Sequence, residues 1–96
     1  MKVEIKKSNR AGKKMMAIFY DKDKRVKTIH FGDTNYQHYT EGHLNEQRRQ
    51  QYIDRHRKSE DWNNPMTAAT LSLFILWSEK TIGSAITKYK KKFNLL

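Results

Sequence analysis

Four histidines, His30, His38, His43 and His56, fall within 27 residues of a 96-residue chain. Imidazoles grouped like this could hold a metal ion or move protons. Their spacing argues against a metal. The stretch HYTEGH sets His38 and His43 five apart with Glu41 between them. There is no HExxH, and no cysteine is available to complete a zinc set. Histidines of this kind in a loop are ordinary polar or hydrogen-bonding residues, so no metal and no other cofactor is expected. Nor do the carboxylates form a working pair: Glu60 and Asp61 are adjacent rather than spaced across a substrate. A glycine-rich phosphate loop, GxSxG and a Walker sequence are all missing. The expectation is a protein that is not an enzyme and takes no small-molecule substrate.

What the chain has in quantity is positive charge, +10 from 20 Lys and Arg against 10 Asp and Glu. The distribution is uneven. Residues 1–31 carry ten basic and three acidic side chains, residues 32–65 five and six, and residues 66–96 five and one. Lys13, Lys14, Lys22, Lys24, Arg25 and Lys27 lie in the first block, and Lys88, Lys90, Lys91 and Lys92 in the last. Together they are the candidate phosphate-neutralising set. Basic ends around a balanced middle make a polyanion-binding face if the ends meet in space. Most of the excess is lysine, which suits diffuse, salt-sensitive phosphate contact. Arginine, the better bidentate reader of bases, gathers instead in the middle, at Arg48, Arg49, Arg55 and Arg57, with acids around it. No zinc finger, homeodomain or RRM signature is present. The expected partner is therefore nucleic acid, bound without sequence specificity, with DNA as the first candidate. The plainer reading of YDKDKRVK is a solvated turn, and of the whole surface, solubility.

The elements that must position these residues are legible in outline. The expected fold class is α+β, a single domain over residues 1–96 in which a small antiparallel β-meander of about three strands precedes three helices. Residues 1–31 form the basic meander. Val3 and Ile5 alternate with charged residues, and period two continues through Met15–Tyr20 and Val26–Phe31. SNRAG and DKDKR supply the turns. Residues 32–43 read as a loop, anchored by Tyr36 and Tyr39. Residues 44–60 read as an exposed helix, packed through Tyr52 and Ile53, with Asp54 able to pair with Arg57 or Lys58.

Residues 64–78 read as a buried helix. Its start is either Asn64 with Pro65 at the first position, or a later cap at Thr67. TAATLSLFILW carries no charge over eleven residues, too few for a membrane span of about 20, so no membrane is expected. A helix apolar on every side is buried on every side. Leu71, Phe74, Ile75 and Trp77 are thus core, or else the interface of a homodimer, and exposure of any of them would favour the dimer. Residues 81–93 form an amphipathic helix capped by Thr81, with Ile82, Ala85, Ile86, Tyr89 and Phe93 in one stripe. The start, MKVEIKKSNR, has no apolar run after its charges, so no signal peptide is expected. The absence of cysteine fits a reducing compartment. With 36% hydrophobic residues, the core must be small.

The stretch KSEDWNNPMTAATLSLFILWSEKTIGSAITKYKKKF resembles a family of small uncharacterised proteins of large nucleocytoplasmic DNA viruses of amoebae and algae. The residues that carry the likeness are His56, Asp61, Trp62, Asn64, Pro65, Thr67, Ala68, Trp77, Lys80, Thr81 and Ile86. Upstream, KTIHFGDTNYQHYT resembles the family through His30, Phe31, Gly32, Tyr36 and Tyr39. The likeness covers about residues 13–93. It departs at TLSLF, where a further tryptophan or an arginine belongs to the pattern. The resemblance brings no activity with it. It implies a viral origin, packaging in the virion, and action in the cytoplasm (a viral factory) or nucleus of an infected cell. Two readings follow: a virion-packaged nucleic-acid-binding protein, or a virion structural or protein-interaction module that dimerises through its apolar helix.

Overall fold

A computed structural model describes all 96 residues. The fold is α+β. Strands β1 (Lys2–Lys7), β2 (Lys13–Asp21) and β3 (Lys24–Asp33) form an antiparallel meander in the order β1-β2-β3. Alternation decides which side faces the core. Val3, Ala17, Phe19 and Phe31 are almost wholly buried, with Ile5, Met15 and Ile29 packed beside them. On the other side Met16 and Ile18 are also buried. Register sets Met16 between Lys6 and His30, and Ile18 between Glu4 and Thr28.

The β2–β3 turn is shorter than the DKDKR loop expected from sequence. Asp21 already pairs with Lys24, leaving only Lys22 and Asp23 in the turn, with Lys22 left-handed at φ 57°. Just beyond it Phe19 pairs with Lys27 while Tyr20 pairs with Arg25. Val26 is the extra residue of a bulge, 49% exposed rather than part of the apolar alternation. The bulge resets the phase so that Ile29 and Phe31 point inward.

Helix α1 (Glu46–His56) starts at Asn45, whose side chain accepts from the Arg48 amide at 3.1 Å. It ends earlier than residue 60 because Ser59 and Glu60 both fold back to the His56 carbonyl in a turn. Arg57 is the C-cap, its amide still bonded to the Ile53 carbonyl at 2.9 Å, and Asp54 accepts from Gln50 at 2.9 Å rather than pairing with Arg57 or Lys58.

Helix α2 (Ala68–Leu71) begins later than residue 64. Asn64 closes a local turn on the Met66 amide, and Thr67 caps the helix by accepting from Thr70. It runs without a break into a π-helical turn, Ser72–Leu76. The wider turn rotates an extra residue inward, and Leu71, Ile75, Leu76 and Trp77 are all buried. Phe74 meets the rings of Tyr89 and Phe93 at 6.2 and 5.4 Å. Of the four residues expected either in the core or at a dimer interface, Leu71, Ile75 and Trp77 are buried in this chain's own core and Phe74 is half-buried. Filling the core with Leu71, Ile75, Phe19 and Phe31 stabilises the fold by about 1.5–3 kcal/mol per side chain.

Helix α3 (Ile82–Lys92) is capped by Thr81, as expected. Its Tyr89 is fully buried and donates its hydroxyl to the Pro65 carbonyl at 2.6 Å. After it the chain turns at Asn94 and reaches the free edge of β1. There Leu96 accepts from Val3 and donates to Met1.

Candidate functional site

Strand register determines which of the predicted basic residues meet. Lys2 pairs with Tyr20, Tyr20 with Arg25, and Asp21 with Lys24. The start of β1 and the β2–β3 turn are therefore the same end of the sheet, where the Lys2 ammonium lies 5.9 Å from the centre of the Tyr20 ring. The return of Leu96 to Met1 and Val3 brings the last turn of α3 there too. Two segments remote in sequence thus converge. Lys22, Lys24, Arg25, Lys90, Lys91 and Lys92 share one end with Lys2, against only Asp21 and Asp23. None of the six predicted residues at this end is held in an ion pair.

The other four predicted residues are elsewhere. Lys13 pairs with Asp33 at the opposite end of the sheet, seven residues or about 23 Å along β2 from Tyr20. Its neighbour Lys14 turns inward, with Nζ 2.6 Å from His38 Nδ1. Burial lowers the Lys14 pKa, against the opposing pull of Asp33. Lys27 donates to the Met66 carbonyl at 3.4 Å. Lys88 is paired with Glu79 at 3.2 Å, and that hydrogen bond is the main reason the Glu79 carboxyl is held below its ordinary range.

The far end holds an arrangement that sequence reading missed. Trp77 is its centre. Tyr52 stacks flat on the indole, 4.3 Å between centres and 2° between planes. His38 and His43 approach it at 5.9 and 5.3 Å. His56 lies over Tyr52 at 4.3 Å and reaches Glu60 at 3.3 Å. Burial first, and the Lys14 ammonium second, push the His38 pKa down to about 4. His38 is therefore neutral near pH 7, and its Nδ1 accepts from Lys14. Burial likewise raises the Tyr52 hydroxyl to about 12. Arg49 clamps α1 in place by donating Nε to the Trp77 carbonyl at 2.9 Å. Three of the four histidines thus serve one aromatic cluster, while His30 bonds Ser8 on the sheet. No three His, Asp or Glu side chains converge as a metal set.

Above this cluster a cleft of about 780 Å³ opens between α1 and the Tyr36–His38 segment. Arg48 and Arg55 line it together with Gln51, Tyr52 and His56. These fall at i, i+3, i+4, i+7 and i+8, so one polar and aromatic face of α1 makes the wall. No carboxylate lines the cleft.

No helix is long and apolar enough to cross a membrane. The model of DUF5754, a family of unknown function, matches residues 3–56. That is more than half of the chain, and the protein belongs to this family. No curated protein and no solved structure matches it.

Proposed function

We propose that this member of DUF5754 binds nucleic acid, duplex DNA first, without sequence specificity, through the hairpin end of its sheet. The observation that carries this reading is the convergence there of Lys22, Lys24 and Arg25 with Lys90, Lys91 and Lys92, unpaired and drawn from opposite ends of the sequence. Lysine ammonium groups are compact point charges that neutralise phosphates and do not fix the geometry of a base edge. A two-residue turn keeps the ribbon narrow enough to follow a groove or straddle a backbone. The resemblance to small proteins of large DNA viruses extends the proposal to a protein packaged with the genome in the virion.

The test is fluorescence anisotropy with a random duplex DNA and an RNA hairpin across a salt series. Six engaged charges predict a slope of log K against log salt of about −5 on duplex DNA. Replacing Lys22, Lys24 and Arg25 together by Gln should make the slope shallower by about 3. Binding that is absent at low salt, or unchanged in the triple variant, overturns the proposal.

A further inference from the structure

We propose that the cleft between α1 and Tyr36–His38 is a binding site for a nucleoside 5′-monophosphate, either free or as the 5′ end of a strand. It lies at the end of the sheet opposite the hairpin, and the inference stands independently of duplex binding.

Charge selects the ligand's sign. Arg48 and Arg55 line the cleft with two histidines and no carboxylate. Arg48 is steadied by the side-chain carbonyl of Gln37 at 3.0 Å, a neutral partner that leaves its charge unmatched. The Arg55 side chain makes no hydrogen bond or ion pair with the rest of the protein. A guanidinium with its donors free is the side chain best suited to a phosphate monoester.

Shape and aromatic surface select the rest. Tyr36 stands at the mouth, 69% exposed, and its ring pairs with no other aromatic in the protein. Across from it runs the packed series Trp77, Tyr52 and His56. A flat heterocycle entering between Tyr36 and the outer face of His56, the exposed end of that series, gains two stacking faces, the usual way a protein holds a base without reading its sequence. Arg48 and Arg55 are seven residues apart on one helix face, about 10 Å along the axis. One guanidinium can then take the phosphate while the other lies beside the base or ribose. The cleft's volume is within the range of small-ligand sites. The wall is rigid because Arg49 ties α1 to Trp77, and Lys14 holds neutral His38 against the indole. A bare phosphate would leave the aromatic face empty, and a bare nucleoside would leave both arginines unmatched.

The experiment is calorimetric titration with AMP, adenosine and inorganic phosphate, and with a single-stranded decamer with and without a 5′-phosphate. Decamers are titrated into protein carrying Lys22→Gln, Lys24→Gln and Arg25→Gln, which weakens the hairpin end's contribution and leaves what remains common to the decamers with and without the 5′-phosphate. AMP should bind at least tenfold tighter than adenosine or phosphate, and Arg55→Gln and Tyr36→Ala should each weaken it about tenfold. Both side chains are free of hydrogen bonds within the protein, and circular dichroism checks that the variants stay folded. If the phosphorylated decamer binds tighter than AMP, and loses that advantage without its phosphate or with Arg55→Gln, the occupant is a strand end. If AMP binds tighter, it is the free nucleotide. Absence of AMP and decamer binding, equal binding of AMP and adenosine or phosphate, or indifference to both substitutions overturns the proposal.

Discussion

Lowering the pH should destabilise this protein by way of His38. The imidazole is 7% exposed, sits edge-on to Trp77 and accepts a hydrogen bond from the Lys14 ammonium. A proton added to Nδ1 would remove the acceptor and set two cations 2.6 Å apart. Folded His38 therefore titrates at about 4, against 6.5 for a free histidine. The folded state resists protonation while the unfolded state takes it up, so stability is intact above pH 6.5 and falls as the pH drops from there towards 4. At pH 4.5 the loss is about 2.5 kcal/mol. That is a large share of the roughly 5–14 kcal/mol typical of a domain of this length. The assay is urea denaturation at pH 7 and 4.5 of the wild type and of His38→Gln, whose amide oxygen can still accept from Lys14. Subtracting the variant removes the acids and other histidines common to both. The wild type should lose about 2.5 kcal/mol more than the variant between the two pH values. Coincident pH dependences, or a His38 ring titrating near 6.5 by NMR, would refute the reasoning.

Two further predictions concern how the elements are held. A Cβ on Gly32 would meet Leu76 Cδ1 at 2.7 Å and Lys14 Cβ at 3.3 Å, whereas one on Gly12 would meet nothing, yet both glycines are left-handed at φ 83° and 84°. Gly12→Ala should cost only the conformational strain, about 1 kcal/mol, and Gly32→Ala about 2 kcal/mol more from overpacking; equal losses in thermal melts would deny a close contact between β3 and the π turn. The Glu41 carboxylate accepts from the Ile82 amide at 2.6 Å, 41 residues away, at the start of α3. Glu41→Gln keeps an acceptor and loses the charge facing the helix dipole, so stability should fall by about 1 kcal/mol at low salt and by less at high salt.

The sheet and α3 were legible because each carries its period on its own residues. Val3 and Ile5 against Lys2, Glu4 and Lys6 define a strand without reference to anything distant. Thr81 with Ile82, Ala85, Ile86 and Tyr89 defines a capped helix in the same way. Val26 was not legible as a bulge, since only the pairing of Phe19 with Lys27 creates one. The apolar helix was ambiguous between core and interface because a sequence does not reveal how much of the chain is available to cover it. In the fold Leu71, Ile75 and Trp77 are buried within the chain, and Phe74 is half-buried against Tyr89 and Phe93. The basic end could be stated only as a condition, that the chain's ends meet; the hydrogen bonds of Leu96 to Met1 and Val3 bring the two termini together, while Lys13, Lys14, Lys27 and Lys88 lie elsewhere. Lys13 and Lys14 were grouped with the hairpin lysines by closeness in sequence, but a nine-residue strand carries its two ends apart.

The cleft escaped sequence reading for a different reason. Eight of its nine lining residues lie between Tyr36 and His56, inside the span matched by the family model. Alone, though, Arg48, Gln51, Tyr52, Arg55 and His56 look like the solvent face of an exposed helix. They become a wall only when Trp77, from the segment beyond that span, arrives beneath Tyr52. Trp77 is delivered by the π turn that also closes the core under Gly32. Core packing and cleft are therefore one construction. Removing the indole should collapse both, whereas Tyr36 and Arg55, which the core does not use, separate ligand binding from folding.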